Sequence, residues 1–110
     1  MTLSRLQRFE LPDVTEEMLA GGERWRECLR VPALSVGVYQ IPTGGEDDQS
    51  PHHEDEIYVV LHGSAVLRAG GEDIPVRPGS VVLVPAGEQH RFHSVEGDLQ
   101  VLVVFAPAET

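Results

Sequence analysis

The chain reads as an all-β domain, a small sandwich or barrel with one short helix near its start. Three observations carry that reading. Short Val-rich runs recur at spacings of roughly eight to twelve residues, each bounded by Gly or Pro turns. A single segment carries helix start and stop signals. A chain of 110 residues has room for one core and no second domain.

The helix is "PDVTEEMLAGG". Asp13 is its expected cap, Glu16 completes the capping pair three residues on, and Gly21 is its expected stop. From Trp25 onward the pattern is β. "LSVGVYQI" (34–41) is the first clear strand. "EIYVVLH" (56–62) and "SAVLRA" (64–69) flank Gly63. Gly70-Gly71 predicts a tight hairpin into "EDIPV". Pro75 inside that run predicts an edge strand or a bulge, because proline donates no ladder hydrogen bond. "RPGS" turns into "VVLV" (81–84), "PAGE" into "HRFHSV", and "EGD" into "LQVLVVF" (99–105). "VVLV" and "VLVVF" lack clean alternation. They predict strands covered on both faces, by the N-terminal segment or by a partner subunit. Residues 1–30 are thus expected as a helix and arm packed on a barrel of residues 31–107.

Composition narrows the function classes. The formal charge of −10 argues against nucleic acid, whose phosphates attract Lys and Arg. No apolar stretch reaches the ~18 residues of a membrane span. "MTLSRLQRFELPDV" lacks the apolar run of a secretory signal. The single cysteine, Cys28, has no disulfide partner in the chain and suits a reducing compartment, so a cytoplasmic protein is expected. Nothing around Cys28 marks it as a nucleophile, and a packed thiol is the simpler reading. Part of the negative charge is clustered. Glu46, Asp47 and Asp48 precede a histidine pair, and Glu54, Asp55 and Glu56 follow it, an arrangement that concentrates cations.

"PHHEDEIYVVLHG" (51–63) places imidazoles and carboxylates directly before a strand. It is either a solvated turn or the wall of a site. A transition metal takes imidazole nitrogen and carboxylate oxygen at about 2.0–2.2 Å. Residues four apart on a flat strand stand roughly 13 Å apart. His52 therefore reaches Glu56 only where Pro51 and the charged run curl the chain back. Taken alone, His52 and Glu56 read more readily as solvated surface residues than as ligands. His90, in "PGSVVLVPAGEQHRF", is the third candidate, since strand starts in a closed barrel face one another inside the mouth.

These two segments resemble the cupin family. Gly45, His52, Glu56 and Gly63 fit its first motif. Gly79, Pro85, Gly87 and His90 fit its second, and the resemblance covers about residues 34–105. It implies a double-stranded β-helix of jelly-roll type, a metal ion in the barrel, and a homodimer. The family's first motif histidine falls on Ser50 and its second-motif Asn on Ser94. The resemblance then implies a metal set of His52, Glu56 and His90, with His53 as a fourth ligand should the loop bend further. Neighbouring residues normally face opposite sides, which ranks His53 below His52. Two histidines and one carboxylate suit Fe(II) with open positions, although Mn, Zn, Ni and Cu take the same ligands.

Other residues divide between a site and plain packing. Tyr58 follows Glu56 at strand spacing and either donates a proton to a bound anion or packs. Phe92 has the same relation to His90 and reads as wall. Gln40 and Gln49 line the mouth or are exposed amides. Trp25 caps the barrel, fills the core or meets a partner subunit. Arg24, Arg26 and Arg30 contact an anionic ligand or form one solvated face. His62 lies roughly 20 Å along the strand from Glu56, too far to share its site, and His93 should face away from His90. Two functions stay open: a metal-dependent enzyme, first of all a dioxygenase acting on a small organic molecule, or a non-catalytic barrel that binds or senses a ligand or metal. An isomerase or lyase differs from the first only in its substrate.

Overall fold

The computed structural model of the chain describes residues 5–47 and 51–110. One helix and six strands follow one another in the order α1 (Leu11–Gly21), β1 (Trp25–Val31), β2 (Leu34–Ile41), β3 (Asp55–Ala69), β4 (Glu72–Val76), β5 (Val81–Val84) and β6 (His90–Ala106). All pairings are antiparallel. The path runs β1-β2-β6-β3-β4, with β5 also on β3.

Two long strands make the barrel. The first half of β3, 55–60, pairs with the last part of β6 and with β5. Its second half, 65–69, pairs with the opening residues of β6 and with β4. Both strands thus change partners along their length within the one six-stranded sheet, and register shifts between Val60 and Val66 mark the change. Gly63 sits at this corner with φ 74°, where a Cβ would lie 2.9 Å from the Glu96 carbonyl oxygen and from Asp98 backbone atoms. A side chain there is excluded twice, by conformation and by space. The breaks read from the sequence at Gly63 and at "EGD" are therefore bends inside continuous strands. The Gly70-Gly71 hairpin joins β3 to β4 with Ala69 opposite Glu72. Pro75 lies on β4, at the end of the strand path.

The helix cap differs from expectation. Glu10 is the residue before the first turn, in extended conformation, and makes no side-chain cap bond. Asp13 falls inside the first turn, where its charge still favours the positive end of the helix. Gly22, not Gly21, is the left-handed residue that ends it. Pro12 explains the shift: its fixed φ and missing N–H suit the first helical positions, so the helix starts around it.

The barrel interior is one apolar cluster that includes Tyr39, Tyr58, Leu67, Phe92, Leu99 and Phe105. A second cluster lies outside the sheet. Val14 and Met18 of α1 cover Val38, with Phe9, Leu11, Cys28 and Leu102 around them. The helix is thus the second layer for β2 and β6. It does not reach β5: Val81 and Leu83 are 66% and 62% exposed, so the N-terminal segment is not the cover expected for "VVLV".

Candidate metal centre

Backbone bonds tie the two motif segments together. The turn after β5 presents Gly87, with φ 77°, and its N–H donates to the His52 carbonyl at 2.7 Å. The neighbouring Ala86 N–H donates to the Asp55 carboxylate at 2.9 Å. The loop that carries His52 is therefore clipped to the turn that leads into His90. Glu56 begins the buried face of β3, opposite Val84 of β5 and Phe105 of β6.

These clips bring His52, Glu56 and His90 together, with one potential ligand atom from each within 4.8 Å of the others. Glu56 Oε1 lies 3.0 Å from His90 Nε2. Two ligands at right angles, each about 2.1 Å from an ion, stand about 3.0 Å apart. His90 donates Nδ1–H to the Glu88 carbonyl at 2.8 Å, which leaves Nε2 facing inward. That nitrogen aligns with the Tyr58 hydroxyl at 3.0 Å rather than with the carboxylate. Neither Glu56 oxygen meets a well-aligned donor among the described residues, although His90 Nε2 lies 3.0 Å from Oε1, and the residue is 1% exposed. A buried, unsatisfied carboxylate in an apolar wall costs several kcal/mol. A cation between the carboxylate and the two imidazoles satisfies it, so the residues present fit a metal ion.

Electrostatics agree in direction. Burial pulls the His90 imidazole down, but Glu56, the Glu88 carbonyl and Asp47 outweigh it and hold its pKa above the usual value. The site therefore attracts a positive charge. Beside His90 opens a cavity of about 760 Å³, with Asp47, Pro51, Arg68, Glu88 and Arg91 among its lining.

The family is legible at this point. A family model described as a cupin domain matches residues 37–105. The chain is a cupin. An uncharacterized protein of Streptomyces coelicolor is 42% identical over 105 residues, spanning 96% of this chain and 100% of the relative. An oxalate-binding protein of Thermotoga maritima is 33% identical over 81 residues, 72% of this chain and 67% of that one. The solved structure of a cupin 2 conserved barrel domain protein from Salinispora arenicola superposes with a TM-score of 0.66 at 21% identity, covering 96% and 88% of the two chains; it shares the fold.

Not every residue singled out in this cupin's sequence joins the group. His53 is exposed and lies outside it. Tyr58 is fully buried and reaches His90, while Phe92 packs edge-on against it at 4.9 Å. Gln40 is neither at the mouth nor exposed. It is buried on the outer side of β2, donates to the Glu23 carbonyl and accepts from Gln100. Trp25 lies across Gly37, where a Cβ would be 2.3 Å from the ring, and meets Phe105 edge-on. Arg26 pairs with Glu17 and Glu23, Arg30 with Glu27, and Arg24 donates to the Glu46 carbonyl, so these arginines serve the outer surface. Burial pushes the Cys28 thiol up, as expected of a packed cysteine. Asp48, Gln49 and Ser50 lie outside the described residues.

Two acids carry roles the sequence reading missed. Asp47, read as part of a cation-attracting cluster, is 8% exposed; Oδ1 accepts from the Tyr39 hydroxyl at 2.9 Å and Oδ2 from the Phe92 N–H at 2.8 Å. It latches the loop before His52 onto the barrel. Glu109, after β6, lies 3.0 Å from His52 Nδ1 through Oε2. Burial holds its carboxyl above the usual range; nearby His52 pulls the other way, and Glu54, Glu56 and Glu27 add to the rise.

Proposed function

We propose that this cupin binds one divalent transition-metal ion through His52, Glu56 and His90, together with a small anionic molecule that enters beside His90, and that it is a metal-dependent oxygenase. The orphaned Glu56 carboxylate, buried between two imidazoles, carries the reading. An ion held by two histidines and one carboxylate supplies Lewis acidity and, for iron, redox chemistry, with positions left for a substrate.

The chain's own groups have separate tasks. The Glu88 carbonyl fixes the His90 ring so that Nε2 faces the barrel. The Tyr58 hydroxyl lies 3.0 Å from that nitrogen, so it would stand beside an ion held by His52, Glu56 and His90, placed to donate to an anionic oxygen of the ligand. Phe92 and Phe105 keep the floor of the site dry. Arg68 and Arg91 line the cavity beside Asp47 and Glu88 and are the cationic groups an organic acid would meet there. A second reading, a barrel that binds such an acid without turning it over, is favoured by the relative named an oxalate-binding protein.

The test is anaerobic purification, elemental analysis, oxygen uptake and calorimetry with a panel of small carboxylic acids and catechols. About one metal per chain and ligand-stimulated oxygen uptake support the oxygenase. Saturable binding without uptake over hours supports the second reading. Failure to retain any of Fe, Mn, Zn, Ni, Co or Cu contradicts the metal site and the oxygenase.

A further inference from the structure

The segment after β6 is pinned over the His52 side of the barrel by four contacts. The Ala108 N–H donates to the Pro32 carbonyl at 3.2 Å. The Glu109 N–H donates to the Ser35 hydroxyl at 3.0 Å, and Ser35 is 1% exposed. Arg30 Nη2 donates to the Glu109 carbonyl at 2.8 Å. The Thr110 hydroxyl donates to Glu54 Oε2 at 3.3 Å. Backbone and neighbours therefore hold Glu109 in place from both sides. Its side chain turns inward and meets His52 Nδ1, with both side chains largely covered, while it stays outside the three-residue group. On the other side the His52 ring packs against Phe105, ring centres 4.6 Å apart.

An imidazole offers a metal one lone pair, and the hydrogen bond at the other nitrogen decides which. Glu109 Oε2, 3.0 Å from Nδ1, favours a proton on that nitrogen and so a lone pair on Nε2. Phe105 and the carboxylate together fix the plane of the ring. We infer that Glu109 is a positioning residue for the metal site: it sets the tautomer and orientation of His52, and residues 107–110 are part of the site rather than a trailing end. This rests on the reading of His52, Glu56 and His90 as metal ligands. Outer carboxylates of this kind change metal affinity by about 10- to 100-fold when removed.

The experiment is Co(II) titration of full-length apoprotein, with affinity from chelator competition, visible absorption of the bound ion, and the apoprotein melting temperature. Wild type, Glu109→Ala, Glu109→Gln and Ser35→Ala are compared. Glu109→Ala should weaken Co(II) binding by about 10- to 100-fold, and Glu109→Gln less, because its amide oxygen can still face Nδ1. Ser35→Ala should act in the same direction by loosening the segment. The melting temperature of apo Glu109→Ala should match wild type, and the bound-ion spectrum should keep its intensity, since no ligand is lost. Wild-type affinity in Glu109→Ala, or a fall in its apo melting temperature that accounts for the loss, overturns the inference and leaves the metal site standing. No Co(II) binding by wild type overturns the metal site and the inference with it.

Discussion

The described histidines fall into two groups, and the contrast between them locates the chemistry. His53, His62 and His93 lie outside the group, the last two with polar partners. His62 Nδ1 donates to the Asp98 carbonyl at 3.1 Å; His93 contacts Ser94 and Asp73 at 3.0 Å each. His52 and His90 converge on a buried carboxylate whose two oxygens receive no hydrogen bond among the described residues. Residue type is the same in both groups. The difference lies in burial and in the unmet acceptor, and an unmet buried acceptor is a standing cost that a ligand removes.

The largest expected effect separates the groups by metal affinity. His52→Ala or His90→Ala should lose binding by about 100-fold or more, as expected when one of three protein ligands goes. His62→Ala and His93→Ala should stay within about 2-fold, since neither touches the group. Chelator competition against a fluorescent zinc indicator reads both. Equal affinities across the four variants would erase the distinction.

A smaller effect tests the cost itself. Glu56→Leu removes the unsatisfied carboxylate and leaves apolar neighbours Val84 and Phe105 across the strands. The apoprotein should gain about 1–3 kcal/mol in urea denaturation while losing metal. A less stable apo Glu56→Leu would show that the carboxylate is already well paired without an ion.

The smallest effect is on the outer group. The His93 hydrogen bond holds the Asp73 carboxyl below the usual value of 3.8, with Arg68 helping. A lowered carboxylate pKa contributes stability above 3.8 that is lost as the pH falls through the lower folded value. Asp73→Asn should therefore melt about 1–2 °C below wild type near neutral pH, a surface-sized effect, and level with it near pH 2. A gap that persists at low pH would assign the effect to something other than charge.

The strands and the three convergent residues were legible for a physical reason. Strands bounded by Gly and Pro turns are local features, and the fixed spacing of the two motifs reflects the Gly87-to-His52 clip that joins them. The helix ends were misplaced by one or more residues because Pro12 overrode the better-looking cap at Asp13. Asp47, Gln40 and Glu109 were not legible. Asp47 and Glu109 stand in stretches that read as solvated and Gln40 in a Val-rich strand, and their partners lie 8 to 60 positions away in sequence. No periodicity records such a pairing. Only the fold does, by bringing a loop and a trailing segment onto the barrel.

The central claim is that one cation binds between His52, Glu56 and His90. Crystals grown with Co(II) and measured on both sides of the cobalt absorption edge test it most directly. The account predicts one anomalous peak at about 2.0–2.2 Å from a nitrogen of each histidine and an oxygen of Glu56. A fully loaded crystal with its peak elsewhere, or with none, would contradict it.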